Sequence, residues 1–296
     1  MFMNQTSLKI LYFEFNVNDN IPNIPFTTYP GGKDCLSNLS EFSCSSNLYL
    51  EFFYQISRIC HNLQSLKITF EYFISNGLTE LISVQKDLNY LDESDLVYCN
   101  KHLDERQSLA KIPNTLTILH IVGKPCHMQL SFISKLSNLQ ELSLSFIRKK
   151  GLEEFKNLQH VILPQLQILT FKYKCPKVGY LINFLEINGK NLKKLDLGKN
   201  YSFNNSLNLA REFLEMVVEF SPKKFHELKL EMGSYVDIET VFQWGLKTIF
   251  KRWANRVPCI PLSLTIITKI AWTITMDERN DKLIEMYKKL GVNKEI

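Results

Sequence analysis

The sequence predicts an α/β solenoid, in which short parallel strands alternate with helices that return the chain. Three observations support this fold class. An apolar motif with the spacing L-x-x-L-x-L recurs along the chain, its copies follow one another at near-even steps, and several intervening segments carry apolar residues at helical spacing. Because a unit of this size cannot bury its apolar face alone, consecutive units must stack on one another.

The clearest copies of the motif define the predicted strands. In each copy the last two apolar residues are two positions apart, so both point to one side of a short strand, and the residue between them points to the other. The strong copies occupy residues 63–68, 116–121, 139–144, 166–171, 192–197 and 225–230, and weaker copies occupy 8–13, 39–44 and 88–91. From residue 8 to residue 192 the first apolar positions are 23 to 31 residues apart, close to the unit length of a leucine-rich repeat.

Three of the segments between strands show helical periodicity. Their apolar residues are Leu48, Phe52, Ile56 and Ile59 in the first segment, Leu78, Leu81 and Ile82 in the second, and Tyr180, Leu181, Phe184 and Leu185 in the third. Strands and helices that alternate in such short units give parallel strands on one side and helices on the other. The predicted architecture is therefore a leucine-rich-repeat solenoid, with a curved parallel sheet on the concave side and helices on the convex side.

The predicted solenoid covers residues 1–232 in about eight or nine irregular units. Residues 233–296 are expected to form a helical capping segment with a short strand, because three tryptophans and neighbouring apolar residues can cover the end of the core. The acidic stretch 92–95 is expected to be an exposed loop. Asparagines that precede the first leucine of a unit are expected to adopt left-handed backbone at the turn from helix to strand. These are Asn38, Asn62, Asn138, Asn157 and Asn191.

Composition is that of an ordinary globular protein and excludes several other classes. The chain has 296 residues, of which 45% are hydrophobic and 22% charged, with 11 Gly and 10 Pro, and this argues against a disordered or collagen-like chain. No apolar run approaches the roughly 20 residues of a membrane span, and the start does not resemble a signal peptide. We therefore expect an intracellular protein, cytoplasmic or nuclear, whose seven cysteines are free thiols.

The net charge of +5 is unevenly distributed. Residues 1–147 carry 10 Lys and Arg against 14 Asp and Glu, whereas residues 148–224 carry 14 against 7. The basic middle leaves nucleic-acid binding as an alternative function, but no zinc finger, RNA-recognition signature or basic helix accompanies it. We favour a solvated basic surface, which could also steer an acidic partner protein.

No motif for catalysis or phosphate binding is present. The glycine-rich dinucleotide motif, the phosphate loop, the zinc-protease motif and the serine-hydrolase motif are all absent. We therefore expect no enzyme activity, no cofactor and no metal. Cys99, His102, Cys126 and His127 have the ligand types of a zinc site, but the second pair is adjacent rather than spaced.

Several segments resemble leucine-rich-repeat proteins of the F-box type, and in particular a fungal F-box-like family. They are ICHNLQSLKITF, in which Cys60 precedes Asn62 and Leu63, and YPGGKDCLSNLSEFSCSSN, EYFISNGLTELISVQKDLNYL, LSFISKLSNLQELSLSF, LINFLEINGKNLKKL and EFSPKKFHELKLE. The resemblance covers nearly the whole chain and implies the substrate-receptor part of a ubiquitin-ligase subunit. The Leu-Pro-x-Glu opening of the F-box itself is missing from this chain, so binding to the Skp-type adaptor of a cullin–RING ligase is not implied.

We therefore predict a non-catalytic protein-interaction scaffold that binds an unidentified protein partner on its concave face, with no membrane partner. Outward-pointing residues of successive strands would line this face. They are Lys67, Thr69, His120, Glu141, Ser143, Ser145, Thr170, Lys172, Lys194, Asp196, Lys229 and Glu231. Because Lys172, Lys194 and Lys229 gather in the later rows, an acidic segment of the partner is expected at that end.

Overall fold

Strands and helices alternate along the chain. The structure is a computed structural model that describes residues 7–13, 29–46, 48–70, 76–95, 111–123, 130–146, 152–198, 215, 217, 224–232 and 263–268. The strands are β1 Ile10–Phe13, β2 Glu41–Ser45, β3 Ser65–Phe70, β4 Tyr90–Asp95, β5 Ile118–Gly123, β6 Glu141–Phe146, β7 Ile168–Phe171, β8 Lys194–Leu197, β9 Glu227–Met232 and β10 Ser263–Thr268. The α-helices are α1 Gly32–Leu36, α2 Leu50–Ser57, α3 Asn76–Ser83 and α4 Val178–Asn188, and 3₁₀ helices occupy Leu130–Lys135, Glu154–Asn157 and Gly189–Asn191.

The chain divides into two units, Met1–Leu142 and Ser143–Ile296, so β6 carries the boundary. In the first unit, β1 to β5 pair in sequence order and every pair is parallel. In the second unit, β7 to β10 do the same. Parallel neighbours require a connection that crosses back over the sheet, and the helices lie in these connections. Each unit therefore has the predicted parallel α/β arrangement.

The repeat motif forms the core of each unit. All three apolar residues of every strong copy are buried. Aromatic side chains join this face of the sheet to the helices: the rings of Phe42 in β2 and Phe52 in α2 are 6.1 Å apart, and those of Phe171 in β7 and Phe155 are 5.4 Å apart. The motif residues therefore point toward the helices, and the residues between them point to the opposite side of the sheet.

Successive repeats share one backbone feature that holds their register. At the start of β3 the amides of Gln64 and Ser65 both donate to the carbonyl of Ser40, one repeat earlier. The amides of Asn89 and Tyr90 then donate to Gln64. The start of each of these strands is thus hydrogen-bonded to the start of the preceding strand. This bonding aligns the motif positions of neighbouring strands.

The acidic stretch 92–95 is not a loop, and this prediction was wrong. These residues lie in β4, which pairs with β3 on one side and with β5 on the other. Glu93 takes the inward motif position, opposite Ile68 and Ile121, and is 1% exposed. Backbone hydrogen bonds from both neighbouring strands, together with burial of Leu88 and Leu91, hold this segment as a strand despite its acidic side chains.

The expected left-handed asparagines were also a wrong prediction. Among the described residues, no residue other than glycine has a positive φ. Two of these asparagines act through their side chains instead. The Nδ2 of Asn138 donates to the carbonyl of Asn114 at 2.8 Å, and that of Asn191 donates to the carbonyl of Pro164 at 2.7 Å. Each side chain therefore satisfies a carbonyl of the preceding repeat.

The two ends of the described chain differ from the middle. In the first motif copy, Leu8 before β1 and Leu11 and Phe13 within it are only half-buried. At the other end, β10 continues the parallel pairing from β9 and lies within the predicted capping segment, while the three tryptophans of that segment lie outside the described residues. The boundary at residue 232 stays a prediction.

None of the helices described has the length and apolar character that crossing a membrane requires.

Candidate functional site

The side of each sheet that faces away from the helices carries the predicted site residues. In the first unit we call this side the first-unit face. It consists of Ile10 and Tyr12 of β1, Glu41, Ser43 and Ser45 of β2, Ser65, Lys67 and Thr69 of β3, Tyr90, Asp92 and Ser94 of β4, Ile118, His120 and Val122 of β5, and Glu141 of β6. Four predicted residues therefore share this face: Lys67, Thr69, His120 and Glu141.

A connected polar cluster occupies the last three strands of the first-unit face, β4 to β6. The Tyr90 hydroxyl donates to Asp92 Oδ2 at 3.1 Å and lies 3.4 Å from His120 Nδ1. On the other side of the imidazole, His120 Nε2 lies 2.8 Å from Glu141 Oε1. Because a carboxylate only accepts, Nε2 carries the proton in this contact. The cluster thus runs across three strands, from Asp92 through Tyr90 and His120 to Glu141.

Ring contacts hold the same cluster in place. The rings of Tyr90 and His120 meet edge to face, with centroids 5.4 Å apart and planes at 76°. The ammonium of Lys67 lies 5.9 Å from the centroid of the Tyr90 ring, within range of a cation–π interaction. Tyr90 therefore contacts side chains from the strands on both sides of its own.

The environment of Tyr90 keeps its phenol protonated. Burial, the negative charge of Asp92 and the hydrogen bond to that carboxylate, with a smaller contribution from Glu141, raise the pKa of Tyr90 to about 12. A phenol is protonated at neutral pH in any case, and the raised pKa extends its role as a hydrogen-bond donor to more alkaline solution.

Apolar and small polar residues make up much of the rest of the first-unit face. Ile118 and Val122 are half-buried on β5, next to His120. At the start of the face, Ile10 and Tyr12 are 44% and 66% exposed. Thr69 lies near Ser94, with 3.4 Å between their hydroxyls. Aromatic residues such as the exposed Tyr12 are of a type that is enriched in protein interfaces.

In the second unit, the side of the sheet that faces away from the helices carries ion pairs. The sequence had predicted a row of lysines there. Lys194 Nζ lies 2.7 Å from Glu227 Oε1, and Lys229 Nζ lies 3.2 Å from Asp196 Oδ2. The partners of each pair are directly opposite each other on β8 and β9. Two of the three predicted lysines are therefore matched by carboxylates, and one of these, Glu227, was not among the predicted residues.

The other predicted residues of the second unit are not uniformly exposed to solvent. Ser143 and Ser145 take outward positions on β6 but are only 2% and 0% exposed, so the expectation that they line an accessible binding face was wrong. Thr170 is buried as well, whereas Lys172 is exposed and follows the end of β7. Glu231 lies in β9, but its side chain is outside the described residues.

Sequence reasoning missed two members of the cluster, Tyr90 and Asp92. Asp92 begins the acidic stretch 92–95 that was expected to be a loop, and Tyr90 lies in the weak motif copy 88–91 but was not among the predicted face residues. The alternation of Leu91 with Tyr90 and Asp92 is the signal that could have identified them, because it matches the inward and outward positions of a strand.

A metal site finds no support in the described part of the chain, where no group of three or more His, Cys, Asp or Glu side chains could hold an ion. The four residues considered as zinc ligands, Cys99, His102, Cys126 and His127, lie outside the described residues.

The fold is similar to that of a solved leucine-rich-repeat protein. The leucine-rich repeat-containing protein LegL7 from Legionella pneumophila matches with a TM-score of 0.52 and 14% identity, over 96% of this chain and 91% of that one. An internalin from Listeria monocytogenes matches with a TM-score of 0.36 and 14% identity, over 81% and 76%. No family model and no curated protein matches the sequence. The likeness to LegL7 confirms the predicted fold class, an α/β leucine-rich-repeat solenoid, and does not extend to the fungal F-box-like family.

Proposed function

We propose that this chain is a non-catalytic protein-interaction scaffold, acting inside the cell, that recognises its partner on the first-unit face. The observation that carries the proposal is the cluster of Tyr90, Asp92, His120 and Glu141, whose hydrogen bonds link three strands. Side chains that are held in place before binding lose little conformational entropy when a partner docks. Tyrosine is also enriched among the residues that contribute most to protein–protein affinity.

The composition of the face supports a protein partner over a nucleic acid. A nucleic-acid surface requires unpaired basic groups that can contact phosphates. On the second unit, Lys194 and Lys229 contact Glu227 and Asp196, so their charges are already balanced. The first-unit face carries more carboxylates than ammonium groups. Both features oppose binding to a phosphate backbone.

Affinity capture with matched variants tests this proposal. The full chain is compared with a face variant, Tyr90→Ala with His120→Ala, and with a control variant, Glu51→Ala, on the exposed side of α2. We expect proteins captured by the wild type to be retained by the control and lost with the face variant, while circular dichroism shows all three chains folded. An identical captured set with all three chains would contradict recognition on this face.

A finer role rests on the sequence resemblance alone. We propose that the scaffold serves as the substrate-receptor part of an F-box-type ubiquitin ligase, with its substrate on the first-unit face. The same capture experiment, scored for cullin and Skp-type adaptor subunits, tests it. Recovery of partner proteins without any ligase subunit would leave the scaffold proposal standing and reject the ligase role.

A further inference from the structure

We infer that the partner bound on the first-unit face presents a cationic side chain, arginine or lysine, to the carboxylates of Asp92 and Glu141. This inference rests on the proposed function and adds the chemistry of the partner. It differs from the acidic partner that the sequence predicts, because it places the main contact in the first unit and reverses the charge.

The charge balance of the face is the first argument. Among its residues defined above, Glu41, Asp92 and Glu141 are carboxylates and Lys67 is the one ammonium group. A binding partner with complementary charge associates faster and is selected over partners of like charge. A basic segment therefore fits this face, whereas an acidic segment would meet a surplus of negative charge.

The geometry of the two carboxylates is the second argument. Each uses one oxygen inside the cluster: Asp92 Oδ2 accepts from Tyr90, and Glu141 Oε1 accepts from His120. Within the described residues, no hydrogen bond reaches Asp92 Oδ1 or Glu141 Oε2. These oxygens can accept from an incoming guanidinium or ammonium group, and their carboxylates are already oriented by Tyr90 and His120.

The contact of Lys67 with Tyr90 is the third argument. Its ammonium lies 5.9 Å from the ring centroid, which shows that a cation can be accommodated over this ring, beside Asp92. Lys67 is exposed and lies opposite Asp92 in the register of β3 and β4. A guanidinium from a partner would compete with this ammonium, and it would also stack on the ring, which an ammonium cannot do.

The experiment is a selection from a phage-displayed library of random peptides against the full chain. We expect the recovered peptides to be enriched in Arg or Lys, and replacement of that residue by Gln in a synthetic peptide to abolish binding. Combining Asp92→Asn with Glu141→Gln should weaken binding about ten-fold or more, because it removes both acceptor charges. By contrast, Lys67→Ala should strengthen binding, because it removes the competing cation.

The outcomes separate the inference from the proposed function. Peptides that lose binding with Tyr90→Ala but carry no basic residue would overturn the inference and leave the scaffold proposal standing. Peptides that bind equally well to the wild type, Tyr90→Ala and the double carboxylate variant would overturn both, as would a selection that recovers no peptide. Weaker binding to Lys67→Ala would contradict the competition between Lys67 and the partner.

Discussion

Gln85 and Asn188 make the same three hydrogen bonds in different units of the chain. Gln85 Oε1 accepts from the amide of Leu63, and its Nε2 donates to the carbonyls of Cys60 and Leu81. Asn188 Oδ1 accepts from Leu163, and its Nδ2 donates to the carbonyls of Val161 and Phe184. Both side chains are buried at the end of a helix. Each joins its own helix to the chain of the preceding repeat.

Replacing the carboxamide of Gln85 should lower the stability of the fold. Gln85→Leu keeps a similar volume but leaves the amide of Leu63 and the carbonyl of Cys60 buried without partners. We expect the free energy of unfolding to fall by about 2–4 kcal/mol, as measured by urea denaturation. The exposed Gln64 is the matched control, and Gln64→Leu should change stability by less than about 0.5 kcal/mol. Equal effects from the two substitutions would show that the hydrogen bonds of Gln85 do not stabilise the fold.

The two sides of β6 should respond differently to mutation. Leu142 is fully buried in the core, so Leu142→Ala should lower the free energy of unfolding by about 2–5 kcal/mol. Ser143 is also buried, but its hydroxyl has no hydrogen-bond partner within the described residues. Ser143→Ala should therefore be neutral or slightly stabilising, within about 0.5 kcal/mol. A loss with Ser143→Ala as large as that with Leu142→Ala would contradict the assignment of the two faces.

The Tyr90 phenol should make stability depend on pH in the alkaline range. Its pKa is raised to about 12 in the folded state, from an ordinary value of 10.0. Folding therefore favours the protonated phenol, and the stabilisation is fully present below pH 10 and is lost as the pH rises toward 12. Urea denaturation across this range should show a steeper decline for the wild type than for Tyr90→Phe.

A second variant identifies the cause of this pH dependence. Asp92→Asn removes the negative charge next to the phenol, whereas burial, the larger cause, remains. Absorbance titration of the tyrosines should show the Tyr90 pKa lowered in this variant but still above its ordinary value. An unchanged titration would mean that Asp92 does not act on Tyr90.

Much of the fold follows from local pattern. The spacing of Leu63, Leu66 and Ile68 predicts a strand and also shows which side of the strand faces the core. This is possible because side chains alternate along any strand, whatever surrounds it. The helical spacing of Phe52 and Ile56 likewise matches α2, and that of Leu78, Leu81 and Ile82 matches α3. Repetition of these patterns implies stacking, since no single repeat can bury its apolar side.

The cluster on the first-unit face could not be predicted from local sequence pattern. Tyr90 and His120 are 30 residues apart, and His120 and Glu141 are 21 apart, so their contacts depend on the register between strands. That register comes from backbone amides that donate to the preceding repeat, and composition does not reveal it. For the same reason Glu93 enters the core beside Ile68 and Ile121. The pattern of leucines was enough to identify repeats and their buried side, whereas the partner of each outward side chain was set by the stacking of neighbouring strands, because cross-strand contacts join residues a full repeat apart.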